Sequence, residues 1–118
     1  MKVNVRQRGQ TTILDVDGQI TFESTPGLRE HLLTALKKKS SVLVNLSQVA
    51  YMDSSGIATL VEGLKAAHTQ KASFGLFGLT KNTRSVLELV RLDKVFKIFG
   101  DEEEAVRLLA STASKEPI

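Results

Sequence analysis

The feature that most restricts the fold is a short segment, Val42 to Leu46, in which almost every residue is apolar. The segment is also rich in residues that favour β-structure. An apolar run without alternating polar residues is typical of a strand that is covered on both faces, as in parallel sheets. The segment therefore predicts a central strand.

Four further segments have the apolar spacing of amphipathic helices. The first follows Ser24-Thr25-Pro26 and ends near Lys39, and the second runs from about Ser55 to Gln70. The third opens at Thr80 or Asn82. The fourth opens at Asp101, which forms a capping pattern with Glu104. The positions expected to be buried are Leu28, Leu32 and Leu36 in the first helix, Ile57, Leu60, Val61 and Leu64 in the second, Val86, Leu87 and Val90 in the third, and Ala105, Leu108 and Leu109 in the fourth.

The remaining extended segments predict the other strands. Val3, Val5 and the stretch from Thr12 to Val16 indicate an N-terminal hairpin around Gly9-Gln10. Short extended pieces are expected at 19–22, 74–77 and 95–99. The resulting order predicts an α/β sandwich, in which a mixed sheet of about five strands, partly parallel through right-handed crossovers, packs with about four helices. Residues 1–110 are expected to form one domain, and 111–118 a disordered tail.

Composition argues against several classes of function. Lys and Arg number 16 against 13 Asp and Glu, and there are no Trp, one Tyr and five Phe, so neither a basic face nor a stacking platform for nucleic acid is expected. Cysteine is absent, and no uncharged apolar stretch is long enough to span a membrane. We expect a soluble, cytoplasmic protein without membrane insertion.

The residues most suggestive of function are Asp53-Ser54-Ser55-Gly56, where the second helix opens. Two adjacent serines at this position are compatible with a helix cap, a nucleophile or a phosphate acceptor. A nucleophilic serine needs a base, but His68 is expected roughly 20 Å away along the helix axis, and His31 is expected on the surface. No spacing typical of a metal, phosphate or cofactor site is present. We therefore expect neither an enzyme nor a cofactor.

The stretch from Val49 to Gly56, following a Val- and Leu-rich strand that ends Asn45-Leu46, resembles the STAS domain of bacterial anti-sigma factor antagonists. The resemblance extends from about Val3 to Leu109. It implies a partner-switching protein whose unphosphorylated form binds an anti-sigma factor that is also a GHKL-type serine kinase. This binding releases the sigma factor from the anti-sigma factor. It also implies phosphorylation of Ser55 by that kinase, which blocks binding, and a PP2C-type phosphatase that resets the switch.

The resemblance, together with the expected exposure of the residues around Ser55, predicts a docking face around this serine. The residues assigned to partner binding are Thr21, Glu23, Ser24, Met52, Asp53, Ser54 and Gly56. Of these, the residues from Thr21 to Asp53 in this list are also expected to be exposed. The side chain of either Ser54 or Asp53 can bond the free N–H groups at the helix start, and Ser54 is expected to be the cap. Many family members carry an acidic residue where this chain has Thr21, so kinase docking is expected to differ in detail. The alternative is a STAS module that is not phosphorylated, such as a cytoplasmic subunit of a lipid-transport ABC system.

Overall fold

The structure of the protein, a computed structural model, describes residues 1–38 and 41–114. Within these residues five strands and four helices form. The strands are β1 (Lys2–Arg8), β2 (Thr11–Asp17), β3 (Ser41–Gln48), β4 (Phe74–Phe77) and β5 (Lys97–Phe99). The helices are α1 (Thr25–Leu36), α2 (Ser54–Gln70), α3 (Lys81–Leu89) and α4 (Glu102–Ser114).

The five strands form one mixed sheet in the order β1-β2-β3-β4-β5. The β1–β2 hairpin is antiparallel, whereas β2, β3, β4 and β5 run parallel to one another. β3 therefore lies in the middle of the sheet, as its apolar sequence predicts. Because the carboxyl ends of parallel strands meet at one edge, the segments that follow β2, β3 and β4 lie along the same edge of the sheet.

The core has two layers because side chains of a strand alternate between the faces of the sheet. On one face, Val42, Val44 and Leu46 of β3 pack in the larger core, which also holds buried side chains of α1 and α2. On the other face, Leu43 packs with Ala105 and Leu109 of α4. Covering by helices on both faces explains why the stretch from Val42 to Leu46 in β3 is apolar at every position but Asn45.

Several predicted details are wrong. Val90 is 47% exposed because α3 ends at Leu89, one residue before it. Leu108 is also exposed, since α4 buries its neighbour Leu109 against the sheet instead. The last strand begins only at Lys97, and Val95 is exposed. No strand forms at 19–22, where a single bridge joins Ile20 to Met52.

The ends of two helices also differ from the prediction. The first helix ends at Leu36, so Lys37 and Lys38 follow it. The last helix continues to Ser114, which places 111–114 in α4 and not in a disordered tail. Lys39, the predicted end of the first helix, and 115–118, the rest of the predicted tail, lie outside the described residues.

Charged side chains join the hairpin to the start of α4. Arg6 donates hydrogen bonds to Asp15 on β2 and to Glu102 on α4, at 2.8 Å to Glu102 Oε1. Arg8 donates to Glu102 at 2.7 Å and to Glu103 at 2.6 Å. The hydrogen bonds from Arg6 lower the pKa of both Asp15 and Glu102 below their ordinary values, although partial burial opposes the shift. The cluster therefore ties together β1, β2 and α4 on the face opposite α1 and α2.

Candidate functional site

The candidate site lies at the edge of the sheet where the parallel strands end. β3 ends at Gln48, and α2 begins at Ser54 after a short connection. The end of β2 leads into a turn that lies beside this connection, because the N–H of Ile20 bonds to the carbonyl of Tyr51 at 3.0 Å, and the N–H of Asp53 bonds to the carbonyl of Ile20 at 3.1 Å. Two segments about 30 residues apart in sequence thus meet around the serine pair.

Asp53 caps α2. Its Oδ1 accepts hydrogen bonds from the N–H of Ser55 at 2.9 Å and from the N–H of Gly56 at 3.2 Å. Its other oxygen, Oδ2, accepts from the N–H of Phe22 at 3.2 Å. One carboxylate therefore satisfies two N–H groups of the first helical turn and fixes the neighbouring turn. The prediction that Ser54 caps the helix is wrong: Ser54 is the first residue of α2, and its side chain is exposed.

The floor of the site is apolar and tightly packed. Met52 is only 1% exposed and Ile20 is fully buried, and the two residues form a bridge between their segments. The prediction that Met52 belongs to an exposed docking face is therefore wrong, because its side chain fills the core beneath α2. Gly56 is buried as well, and a Cβ atom there would lie 2.5 Å from Met52 Cγ and 2.8 Å from Ile20 Cγ2. Met52 and Gly56 thus support the site from below and offer no surface to a partner.

The start of α3 holds the connection between β3 and α2 from the other side. The side-chain oxygen of Asn82 accepts a hydrogen bond from the N–H of Met52 at 3.2 Å. Thr80, which caps α3, donates from its hydroxyl to the carbonyl of Val49 at 2.8 Å. These bonds satisfy backbone groups of a connection that has no regular secondary structure, so the serine pair is presented on a fixed backbone.

The turn before α1 forms the other wall of the site. Glu23 is exposed, as predicted, whereas Thr21 and Ser24 are half-buried. The Ser24 hydroxyl oxygen accepts from the N–H of Thr21 at 2.9 Å, and the hydroxyl donates back to backbone carbonyls of the same turn. Ser24 therefore stabilises the turn through its side chain, and Asp53, which is also half-buried, is partly occupied with its three bonds.

Two aromatic residues at this edge were not among the predicted site residues. Phe22 is 75% exposed and Tyr51 is 45% exposed. Phe22 follows Thr21 in the turn, and Tyr51 precedes Met52 in the connection to α2. Sequence position offered one signal for Phe22, since it stands between two residues assigned to the docking face. Exposure itself could not be read from the sequence, because it depends on where the two segments meet.

Ser55 is half-buried in the first turn of α2, and its carbonyl accepts a hydrogen bond from the hydroxyl of Thr59 at 2.9 Å. His68 lies in the last turn of the same helix, and His31 is an exposed residue of α1. Within 1–38 and 41–114, no group of three or more His, Cys, Asp or Glu side chains is arranged to hold a metal ion. The arrangement at Ser55 thus places a hydroxyl at a helix start with a carboxylate beside it.

Comparisons with known proteins agree with this architecture. The model of the STAS domain family matches residues 2–105. An anti-sigma-B factor antagonist of Bacillus subtilis (strain 168) is 26% identical over 107 residues, which cover 91% of this chain and 98% of that protein.

Solved structures have the same fold. The crystal structure of an anti-sigma factor antagonist from Mycobacterium paratuberculosis has a TM-score of 0.85 at 20% identity and covers 92% of this chain and 93% of its own. The phosphorylated form of the Bacillus cell fate determinant SpoIIAA has a TM-score of 0.70 at 16% identity and covers 91% of this chain and 99% of its own. In the described part of this chain, every helix is too short or too polar to cross a membrane. With a family model that matches nearly its whole length, the chain belongs to the STAS domain family.

Proposed function

We propose that this protein is a cytoplasmic anti-sigma factor antagonist that works by partner switching and is not itself an enzyme. In its unphosphorylated form it binds an anti-sigma factor that is a GHKL-type serine kinase, and binding releases the sigma factor. Phosphorylation of Ser55 by that kinase blocks binding, and a PP2C-type phosphatase restores it. The relative from Bacillus subtilis, which carries the name anti-sigma-B factor antagonist and aligns over nearly its full length, supports the role.

The observation that carries the proposal is the position of Ser55. Its hydroxyl lies in the first turn of α2, on a backbone that the Asp53 carboxylate and the start of α3 hold in place. A kinase can approach this turn because Ser54 and Glu23 around it are exposed. A phosphorylated protein of this fold, SpoIIAA, supports the view that the fold accommodates a phosphoryl group.

The charge of the phosphate accounts for the switch. A phosphoserine carries about −1.5 to −2 charges at neutral pH. The N–H groups of Ser55 and Gly56, which a phosphate at a helix start can use, already donate to Asp53. The phosphate would therefore lie beside a carboxylate and present a concentrated negative charge to a docked protein, so that repulsion and desolvation weaken the complex.

Phosphate transfer tests the proposal. The chain is incubated with ATP and each purified GHKL-type serine kinase of the source organism, and the phosphorylated residue is located by mass spectrometry. We expect phosphate on Ser55, none on the Ser55→Ala variant, and retained transfer to the Ser54→Ala variant, which serves as the matched control. Phosphate on Ser54 alone, or on no residue of 53–56, would refute the assignment and favour a STAS module that is not phosphorylated.

A further inference from the structure

The exposed aromatic residues at the candidate site suggest what a partner contacts. Of the five Phe side chains, Phe74, Phe77 and Phe96 are at most 4% exposed, and Phe99 is half-buried against the α4 layer. Phe22 is the exception, at 75% exposed. A single exposed aromatic residue is not unusual in itself, but this one is held next to the proposed phosphoacceptor.

The distance between Phe22 and Ser55 is short because one carboxylate joins them. The backbone nitrogens of the two residues lie 3.2 and 2.9 Å from the two oxygens of Asp53. Tyr51 lies on the adjoining segment, where its carbonyl accepts from the N–H of Ile20. An ordinary protein–protein interface covers about 800 Å² on each partner, or about 20 to 30 residues. A kinase that brings its active site to the Ser55 hydroxyl must therefore cover Phe22 and Tyr51 as well.

The backbone that carries Phe22 is already fixed. Its N–H bonds to Asp53, and its carbonyl accepts from the hydroxyl of Thr25 at 3.2 Å. The N–H groups of Ser24 and Thr25 both bond to the carbonyl of Thr21, at 2.9 and 3.0 Å. A ring presented on such a turn loses little backbone entropy when a partner buries it, which favours binding.

We infer that Phe22 and Tyr51 form the apolar centre of the surface that receives the anti-sigma factor, with Glu23, Asp53 and Ser54 as its polar rim; this inference rests on the proposed function. The partner presents an apolar pocket for the Phe22 ring next to the site that receives Ser55. Apolar centres with polar rims are the usual anatomy of such interfaces, and buried aromatic side chains contribute much of their affinity. The aromatic residues contribute affinity for the anti-sigma factor, and phosphorylation of Ser55 regulates that affinity.

Alanine variants test the inference. The affinities of the unmodified chain, Phe22→Ala and Tyr51→Ala are measured by calorimetry against the purified kinase that phosphorylates the chain. We expect Phe22→Ala to weaken binding at least tenfold and Tyr51→Ala several-fold, with unchanged urea midpoints. Leu89→Ala is the matched control: Leu89 is 84% exposed, but it lies at the end of α3 remote from Asn82, and its removal should change affinity less than twofold.

Direct contact is tested by photocrosslinking. With p-benzoylphenylalanine in place of Phe22, irradiation should link the chain to the kinase, whereas the same replacement of Leu89 should not. If the chain binds the kinase and Ser55→Asp weakens the complex, but Phe22→Ala binds as tightly as the unmodified chain, the inference is wrong and the proposed function stands.

Two further outcomes would overturn the inference. If no GHKL-type kinase of the organism binds the unmodified chain, the proposed function and the inference both fail. If Phe22→Ala converts a dimer of this chain to a monomer in sedimentation experiments and leaves kinase binding unchanged, the patch receives a second copy of the chain instead.

Discussion

Replacing Gly56 by alanine should destabilise the fold, although alanine is the better helix former. The added Cβ would lie 2.5 Å from Met52 Cγ and 2.8 Å from Ile20 Cγ2, both in side chains that are almost completely buried. Overpacking of a dense core typically costs about 1 to 3 kcal/mol, and contacts this short fall at the upper end of that range. Helix propensity returns at most about 1 kcal/mol. We therefore expect a net loss of about 2 kcal/mol.

Gly63 provides the matched control because it is also a buried glycine of α2. A Cβ there would meet Leu32 Cδ1 at 3.3 Å and Phe74 Cζ at 3.4 Å. The contact with Leu32 is tight and requires a shift of a few tenths of an ångström, but the Leu32 methyl group belongs to the end of a flexible side chain and can move. The gain in helix propensity, up to about 1 kcal/mol, should therefore offset most of the steric cost, and Gly63→Ala should be close to neutral.

The two variants are compared by urea unfolding, followed by circular dichroism at 222 nm. A difference of about 2 kcal/mol corresponds to roughly 8 °C in the melting temperature of a domain of this size, so thermal unfolding should resolve it as well. The reasoning is refuted if Gly56→Ala is as stable as Gly63→Ala. That result would mean that Met52 and Ile20 can move aside without loss, and that the glycine of the motif is not required by packing.

Three further expectations concern stability and are measured by urea unfolding. Leu60→Ala should lose about 2 to 5 kcal/mol, because Leu60 is completely buried between α2 and the sheet. Asp53→Ala should lose about 0.5 to 2 kcal/mol with the cap of α2, whereas Ser54→Ala should lose less. The pKa values of Asp15 and Glu102 are lower in the folded protein than their ordinary values of 3.8 and 4.5. Both carboxylates therefore stabilise the fold at a pH above these ordinary pKa values, and this stability is lost as the pH falls through the pKa values of the folded protein.

Each expectation has a result that contradicts it. A Leu60→Ala variant within 1 kcal/mol of the unmodified chain would contradict the placement of that helix face on the core. Equal losses for Asp53→Ala and Ser54→Ala would contradict the assignment of the cap. For the acid effect, Arg6→Gln is the control, since it removes the donor that lowers both pKa values. An equal loss of stability in that variant as the pH falls below 4.5 would show that other groups are responsible.

Much of the secondary structure could be predicted because its determinants are local. The step of four residues between Leu28, Leu32 and Leu36 produces one apolar face on any α-helix, and all three side chains are buried in α1. The nearly continuous apolar run from Val42 to Leu46 in β3 is typical of a strand covered on both faces, and this predicted the position of the strand in the middle of the sheet. Helix ends were less accurate, since the competing final turns differ little in local energy.

The candidate site was predicted only in part, for a different reason. A Ser-Ser pair after an acidic residue identifies a helix start, and the sequence named both Ser54 and Asp53 as able to cap it. The choice between them depends on the turn at Phe22, which is 31 residues away in sequence and bonds to Asp53 but not to Ser54. The same meeting of segments buries Met52 against Ile20 and leaves Phe22 exposed.

The elements, their apolar faces and the helix start that carries Ser55 are thus encoded locally, because hydrophobic period, propensity and capping act within a few residues of chain. Which residues of the motif face solvent and which support it depends on the packing of segments that are distant in sequence. The same packing joins Arg6 to Glu102 across 96 residues of sequence. Such contacts depend on how segments that are distant in sequence pack together. The local pattern of one segment does not specify which other segment it contacts.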